Sequence, residues 1–326
     1  MTPALVSFCV PTYQRAHFLG NCLDSLLAQA YAPCEVIVSD NGSTDATADL
    51  LDAYQKRHRN IRTMRHPANL GMAQNWLAAM TMASGEYIAL INDDDWCLPH
   101  FADTLVDLLR GNPAATVAMG TSLVVDQGGN PLPDRTEEIN RGRTHLPEGI
   151  IRDALAHAFN SQVFTVTTAL FRTSALRQRG FVDVATGPML DYDLFLSLAQ
   201  QNDPAILTHN TVSAYRLHPD QQTLGQGGER NWTINSAHMS YVLSKYAFAD
   251  RELERQRRRR LGWLHSVLAR QHARTDHAAA WRHVRSALRY PLADPKYWAR
   301  LASAVGSCTV SPSRGVNPHK SVPPQA

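Results

Sequence analysis

The sequence predicts an α/β protein: a mixed, mainly parallel sheet flanked by helices, with a helical appendage toward its C-terminal end. Three observations carry this. Through the first hundred residues, short apolar runs alternate with segments of helical periodicity, the pattern of βαβ units. From about Trp232 to Ala304 the pattern is helical throughout, with breaks near Asp250, Asp276 and Pro291 to Pro295. The 326 residues, 44% hydrophobic and 19% charged, have ordinary globular composition and suffice for one large domain and an appendage.

The elements follow in order. Leu5 to Val10, closed by Pro11, reads as the first strand. Leu19, Leu23, Leu26, Leu27 and Ala30 recur at helical spacing and predict a helix from about His17. Glu35 to Ser39 is a second buried strand, ended by the turn signal Asp40-Asn41-Gly42. Ser43 and Thr44 are candidate caps for the next helix, with Leu50, Leu51 and Tyr54 on its apolar face. Ile61 to Arg65 is a third strand, and Asn69-Leu70-Gly71 turns into a helix carrying Trp76, Leu77 and Met80. Ile88 to Ile91 is the fourth strand and runs into three consecutive carboxylates, Asp93, Asp94 and Asp95. Further strands are expected at Thr116 to Val125, Val163 to Phe171 and Ser213 to Leu217. A loop or lid is expected over Asp126 to Leu146, which is rich in Gly, Pro and charge, and a helix is expected from Asp191. The expected domains are residues 1–230, a basic helical region over 231–305 and a disordered tail over 306–326.

Several classes are excluded by composition. No apolar run approaches the roughly 20 residues of a membrane span. The N-terminus lacks the basic flank of a secretion leader. Five cysteines, odd in number and without C-x-x-C spacing, predict reduced thiols rather than a disulfide framework or zinc site, and so a cytoplasmic location. The net charge of +3 hides an asymmetry. From residue 251 onward 15 Lys/Arg stand against 4 Asp/Glu, while the first 250 residues hold 17 basic and 25 acidic residues. An acidic crevice repels phosphate backbones, so nucleic acid is not an expected partner.

Right-handed βαβ crossovers put successive strand ends on one sheet edge. Pro11 to Tyr13, Asp40 to Ser43 and Asp93 to Asp95 are therefore expected to converge at the carboxyl ends of the strands, where open α/β sheets keep ligands. Three adjacent carboxylates repel one another. Either a hard divalent cation shields them or they form a solvated acidic turn.

Taken in order, V-P-T-Y-Q-R-A, V-S-D-N-G-S-T-D-A-T, N-L-G-M-A-Q-N, G-E-Y-I, the acidic cluster, L-D-Y-D-L and Y-R-L-H resemble family 2 glycosyltransferases of GT-A fold, over about the first 225 residues. The resemblance implies a nucleotide-diphosphate sugar donor, a saccharide or lipid-linked saccharide acceptor, a divalent metal (Mg or Mn) and transfer with inversion. It implies that Thr12 and Tyr13 pack around base and ribose, that Asp40 hydrogen-bonds the nucleobase, and that Asp93 and Asp94 lie near the ribose. Asp95 and His218 are the implied metal contacts and Asp191 the implied general base. Two positions depart from the family pattern: Asn92 and Leu190 stand where acids are usual.

These residue types suit that chemistry. A metal held by carboxylates neutralises a leaving diphosphate, a carboxylate can take the acceptor's proton, and non-reacting groups position the donor. Surface polysaccharide or lipopolysaccharide assembly is the expected setting. The departures at Asn92 and Leu190 keep open a non-catalytic sugar-nucleotide binder. A sugar nucleotidyltransferase would want a Gly-rich, basic loop after the first strand, which Pro11 to Gly20 does not supply. In the basic region, Leu253, Leu261, Leu264 and Leu268 fall on one helical stripe beside Arg255 and Arg257 to Arg260. Such a helix either lies on an anionic membrane or forms the solvated face of a helical appendage.

Overall fold

The computed structural model describes residues 3–160, 163–201, 203–219, 221 and 228–310. The chain divides into two compact units after Gly227.

In the first unit, β1 (Val6–Thr12), β2 (Cys34–Asp40), β3 (Ile61–Arg65) and β4 (Tyr87–Leu90) run parallel, joined by α1 (Ala16–Leu27), α2 (Thr47–Arg57) and α3 (Met72–Thr81). Every residue of β1 and β4 is buried, which is why both read as unbroken apolar runs rather than alternating ones. β5 (Trp96–Cys97) and α4 (Phe101–Gly111) follow; α4 buries Phe101, Leu105 and Leu109 at one-turn spacing. Next come β6 (Val117–Val125), α5 (Pro133–Thr144), β7 (Gly149–Ile150), α6 (Ala154–Asn160), β8 (Ala169–Arg172), α7 (Thr173–Gln178), α8 (Leu190–Gln200) and β9 (Ala205–Arg216). Strand order across the sheet is β3-β2-β1-β4-β8-β6-β9-β5, with β7 on β9; β8 is antiparallel to both β4 and β6. The sheet is mixed and mainly parallel on its β3 to β4 side, as expected.

Three expectations change. The loop expected over 126–146 contains α5. Its sequence is polar on all sides, so apolar periodicity cannot reveal it. Hydrogen bonds to neighbouring backbone hold it instead. Asn140 accepts from the Ser122 amide (3.1 Å) and donates to the Ser122 carbonyl (2.7 Å). Thr136 Oγ1 accepts from the Val124 amide (2.9 Å), and Arg143 donates to the Val163 carbonyl (3.2 Å) and Thr165 Oγ1 (2.8 Å). Burial pulls the Arg143 guanidinium down to about 10. Asn140→Ala strips partners from two buried backbone groups of β6, and chemical denaturation should show a loss of about 1–3 kcal/mol.

The strand expected over 163–171 is interrupted by a 3-10 turn at Val166–Thr168, which leaves β8 short. The strand expected over 213–217 is the end of the longer β9, whose pairing with β6 slips between Met119 and Ser122. Gly120 permits this close approach: a Cβ there would meet the Asn210 carbonyl at 2.7 Å.

The second unit comprises α9 (Gly228–Lys245), α10 (Arg251–His272), α11 (His277–Leu288) and α12 (Pro295–Val310). Asp250 and Asp276 end the interhelix breaks as N-caps, accepting from the Leu253 and Ala279 amides at 2.8 Å each. α12 continues through Gly306 to Val310, where a disordered tail was expected; the remainder of that tail lies outside the described residues.

The stripe on α10 is not a membrane face. Leu261, Leu264 and Leu268 are buried within the unit, α10 packing on α9, α11 and α12. Arg257 is buried as well. Its guanidinium grips both oxygens of Glu254 (2.6 and 2.7 Å) and donates to the Leu243 carbonyl at the end of α9 (2.8 Å). No helix among the described residues is long and apolar enough to cross a membrane.

Between α10 and α11, His265 Nδ1 lies 3.1 Å from His283 Nδ1, with His272 and Tyr290 stacked alongside and Ser240 of α9 at His265 Nε2. Burial, then the charges of His265, His272 and Arg282, push His283 down to about 4. A histidine with a depressed folded-state pKa stabilises the fold above its unfolded value near 6.5, and that contribution is lost as pH falls toward 4. Protection factors across 261–290, taken against the intrinsic exchange rate at each pH, should therefore fall between pH 6.5 and 4.5, and His283→Phe should reduce this dependence, His265 being depressed by burial as well.

Candidate functional site

The parallel strands bring three sequence-distant loops to one edge. Thr12 pairs with Asp40 and Asp40 with Arg65, so the ends of β1, β2 and β3 are level. Cys9 pairs with Leu90, and continuing both strands sets Thr12 level with Asp93.

Side chains lace the loops together. Gln14 adopts a left-handed backbone (φ 56). Its amide donates to Ser43 Oγ (2.9 Å), and its side chain donates to Thr44 Oγ1 (2.8 Å) and accepts from the Asp45 amide (3.1 Å). These bonds hold a conformation that non-glycine residues rarely adopt. Gly42 has φ +76, and a Cβ there would stand 2.9 Å from the Ala68 backbone, so the D-N-G-S turn needs glycine twice over. Asn41 accepts from the Leu70 amide (2.8 Å) and donates to Asn69 Oδ1 (2.9 Å), tying that turn to N-L-G-M. Asn75 accepts from Ser39 Oγ (2.6 Å) and donates to the Thr12 carbonyl (3.3 Å).

Within this frame the predicted residues differ sharply. Tyr13 is 41% exposed, an aromatic ring presented at the strand edge. Asp40 is fully buried. Its Oδ1 accepts from the Ser43 amide (2.9 Å) and its Oδ2 faces Arg65 Nε at 3.4 Å, while Arg65 also donates to the Ser43 carbonyl (2.6 Å). As placed, Asp40 braces its own turn and anchors Arg65.

The three acids have separate surroundings. Asp93 is buried. Burial and the adjacent Asp94 charge push it up to about 7, with Thr12, Arg15 and the Tyr13 amide pulling the other way. Asp95 is 1% exposed and turned inward: Oδ1 accepts from the Arg216 amide (2.9 Å) and Oδ2 from Asn92 Nδ2 (3.2 Å). Burial, then Asp94, holds it well above the carboxylate range. Asp94 points outward. Its Oδ2 lies 2.6 Å from Arg15 Nη1 and 3.0 Å from His218 Nε2, and Arg15 Nη1 is itself 3.0 Å from that nitrogen.

Both Asp95 oxygens are hydrogen-bonded within the wall of the crevice, and Asp94 is the acid that lies beside His218. This placement also accounts for Asn92. An acid there would have added a fourth carboxylate, whereas the amide donates to Asp95.

Arg216 is a strut. It is 3% exposed, donates to the Asp94 and Gln127 carbonyls (3.0 and 2.7 Å), and lies between the Phe18 and Trp96 rings at 4.8 Å from each. His218 packs on Phe18, ring centroids 4.7 Å apart. Cys97 is a packed, buried thiol, and all five cysteines are unpaired.

Asp191 opens α8, after a 3-10 segment (Val184–Met189) that packs on α3. Its carboxylate is solvent-accessible, yet the protein crowded around it raises its pKa; the Tyr192 amide at 2.7 Å opposes this. Asp193, the second acid of L-D-Y-D-L, is buried, and so is Leu190 at the second departure.

Arg15, Gln14 and Arg65 went unassigned in the sequence. Arg15 and Gln14 lie within V-P-T-Y-Q-R-A, so that motif was their available signal. Arg65 shows itself only through strand register.

Among the described residues no cluster of three or more His, Cys, Asp or Glu forms a ready-made metal cage. Asp94 and His218 nonetheless offer an oxygen and a nitrogen donor side by side. That pair fits a cation such as Mg, which takes one or two protein ligands and completes its shell from phosphate and water.

The glycosyl transferase family 2 model matches residues 7–180. Abequosyltransferase RfbV of Salmonella typhimurium is 36% identical over 94 residues, 28% of each chain. Chondroitin synthase of Pasteurella multocida is 29% identical over 197 residues, 60% of this chain and 19% of that one. An uncharacterized glycosyltransferase of Haemophilus influenzae is 25% identical over 247 residues, 74% of this chain and 75% of the relative. The match thus spans well under half the length of the first two relatives. S. aureus TarS 1-349, solved with UDP, superposes with a TM-score of 0.63 at 15% identity, covering 93% of this chain and 88% of that one. The mannosyltransferase PcManGT from Pyrobaculum calidifontis, solved with GDP-Man and Mn2+, superposes at 0.57 with 17% identity over 95% and 88%. The fold is the GT-A fold of these neighbours. With the family model matched over more than half of its length, the chain belongs to glycosyl transferase family 2.

Proposed function

We propose that the chain transfers a sugar from a nucleotide-diphosphate donor to a saccharide or lipid-linked saccharide acceptor, with inversion, in surface polysaccharide or lipopolysaccharide assembly. The observation that carries this reading is the contact between Asp94 and the buried His218 (3.0 Å) at the strand edge where Tyr13 is exposed.

In this reading Tyr13 packs on the base, and Thr12 and Asp93 border the ribose. Asp40 keeps the D-N-G-S turn in the shape the nucleotide meets, and its Oδ2, which has no hydrogen-bond partner among the described residues, is the atom that would accept from the base. Asp94 and His218 would hold a divalent metal, in the position that Arg15 Nη1 takes up between them here. When bound, the ion supplies Lewis-acid neutralisation of the leaving diphosphate. Asp191 accepts the acceptor's proton, its raised pKa bringing it nearer to that of an effective base at neutral pH. Leu190 contributes apolar packing behind it and no second carboxylate.

The test is a panel of UDP-, TDP- and GDP-sugars with Mg, Mn or chelator, read by release of nucleoside diphosphate and by the anomeric configuration of the product. Metal-dependent turnover with inversion is expected. A retained configuration, or undiminished turnover in chelator, would overturn the corresponding part.

A further inference from the structure

The helical unit carries a concave, strongly basic site that glycosyl transfer does not use. An open recess of about 420 Å³ lies along α10, lined by Arg251, Arg255, Arg258 and Arg259 on one side and by Tyr290 in the turn after α11 on the other. The turn approaches closely because position 262 is glycine: a Cβ there would stand 2.4 Å from the Tyr290 carbonyl oxygen. Residues 251, 255, 258 and 262 are spaced by one helical turn, so the arginines and the crossing point share one face of α10.

That face is expensive for the fold. Like charges one turn apart destabilise a helix, and all four arginines are exposed. The acids nearby do little to offset them. Glu254, which also lines the recess, has both oxygens on the buried Arg257, and Glu252 pairs with Arg255. Among the described residues Arg251, Arg258 and Arg259 have no carboxylate within ion-pair distance, although the charge of Arg258 reaches Glu254.

The recess is also partly organised in advance. The Arg258 guanidinium lies over the Tyr290 ring at 5.3 Å and donates to the Arg289 carbonyl at 3.4 Å. Arg251 sits in the first turn of a 22-residue helix, where the macrodipole favours an anion. Guanidinium forks match the oxygens of a phosphate better than any other common anion donor set does.

We infer that this recess binds a phosphate-bearing group, a phosphomonoester or diphosphate, carried either by a membrane lipid headgroup or by a soluble ligand. The inference does not depend on the proposed sugar transfer.

The experiment uses the full chain. Inorganic pyrophosphate is titrated by calorimetry with the crevice acids left intact and no metal added, and vesicles of phosphatidylcholine with or without phosphatidic acid are tested by flotation. Arg258→Gln/Arg259→Gln is compared with Arg274→Gln/Arg285→Gln, which removes equal charge at exposed positions outside the recess. A soluble ligand predicts saturable pyrophosphate binding, weakened at least tenfold by the recess pair alone. A lipid headgroup predicts flotation with phosphatidic acid only, lost with the recess pair and competed by pyrophosphate. No binding in either arm, or equal weakening by both pairs, overturns the proposal, the latter because it would reduce the effect to diffuse charge. Circular dichroism melts confirm that each variant is folded.

Discussion

Asp94→Asn is expected to lower kcat/KM about 100- to 10,000-fold, the several kcal/mol that metal-assisted charge neutralisation supplies to a transition state. The amide keeps the volume and loses the charge that faces Arg15 and His218 (2.6 and 3.0 Å). Mn affinity in the absence of donor should fall with it, which calorimetry can read separately from turnover. Asp95→Asn makes the contrast. Asp95 is turned into the wall, bonded by Asn92 and Arg216, so its replacement should reduce thermal stability and leave Mn affinity within a few-fold of the parent. Loss of Mn binding in Asp95→Asn with retention in Asp94→Asn would reverse the assignment made here.

Asp191→Asn should lower kcat about 100- to 10,000-fold, the usual contribution of a positioned general base, with donor affinity unchanged. Protein crowded around Asp191 raises its pKa. A base must be ionised to accept a proton, so the acid limb of the kcat profile should be shifted upward from that of an unperturbed aspartate and vanish in the variant. Donor affinity is measured by thermal shift, since a ligand of the native state raises its stability by mass action. A variant that loses donor affinity while keeping kcat would move Asp191 from chemistry to binding. Asp193→Asn supplies the comparison, because that side chain is buried. It should affect stability more than the pH profile.

Much of the framework was legible because its physics is local. The buried strands of the first hundred residues show as apolar runs, α1 as a one-face periodicity, and the helix boundaries near Asp250 and Asp276 as breaks in the helical pattern. Right-handed crossovers then sufficed to place Thr12, Asp40 and the acidic cluster on one edge. Legibility failed where local pattern and tertiary role part company. α5 is polar on every side and held by Asn140, Thr136 and Arg143 reaching β6 and the 163–165 segment, so no apolar stripe announces it. The stripe on α10 has the same periodicity whether it faces lipid or other helices; burial of Leu261, Leu264 and Leu268 decides for helices.

The sequence by itself determined the α/β class, the family, and which loops meet. These follow from hydrophobic period, turn chemistry and the order of motifs, each a property of contiguous residues. Only the tertiary structure decided how Asp93, Asp94 and Asp95 divide their work. Adjacent carboxylates are equivalent as letters. They become different groups when Thr12 and Tyr13 flank one, Arg15 and His218 face the second, and Asn92 and Arg216 close over the third. Direction and desolvation, set by partners as distant as residue 218, distinguish the acid that faces Arg15 and His218 from the one built into the wall.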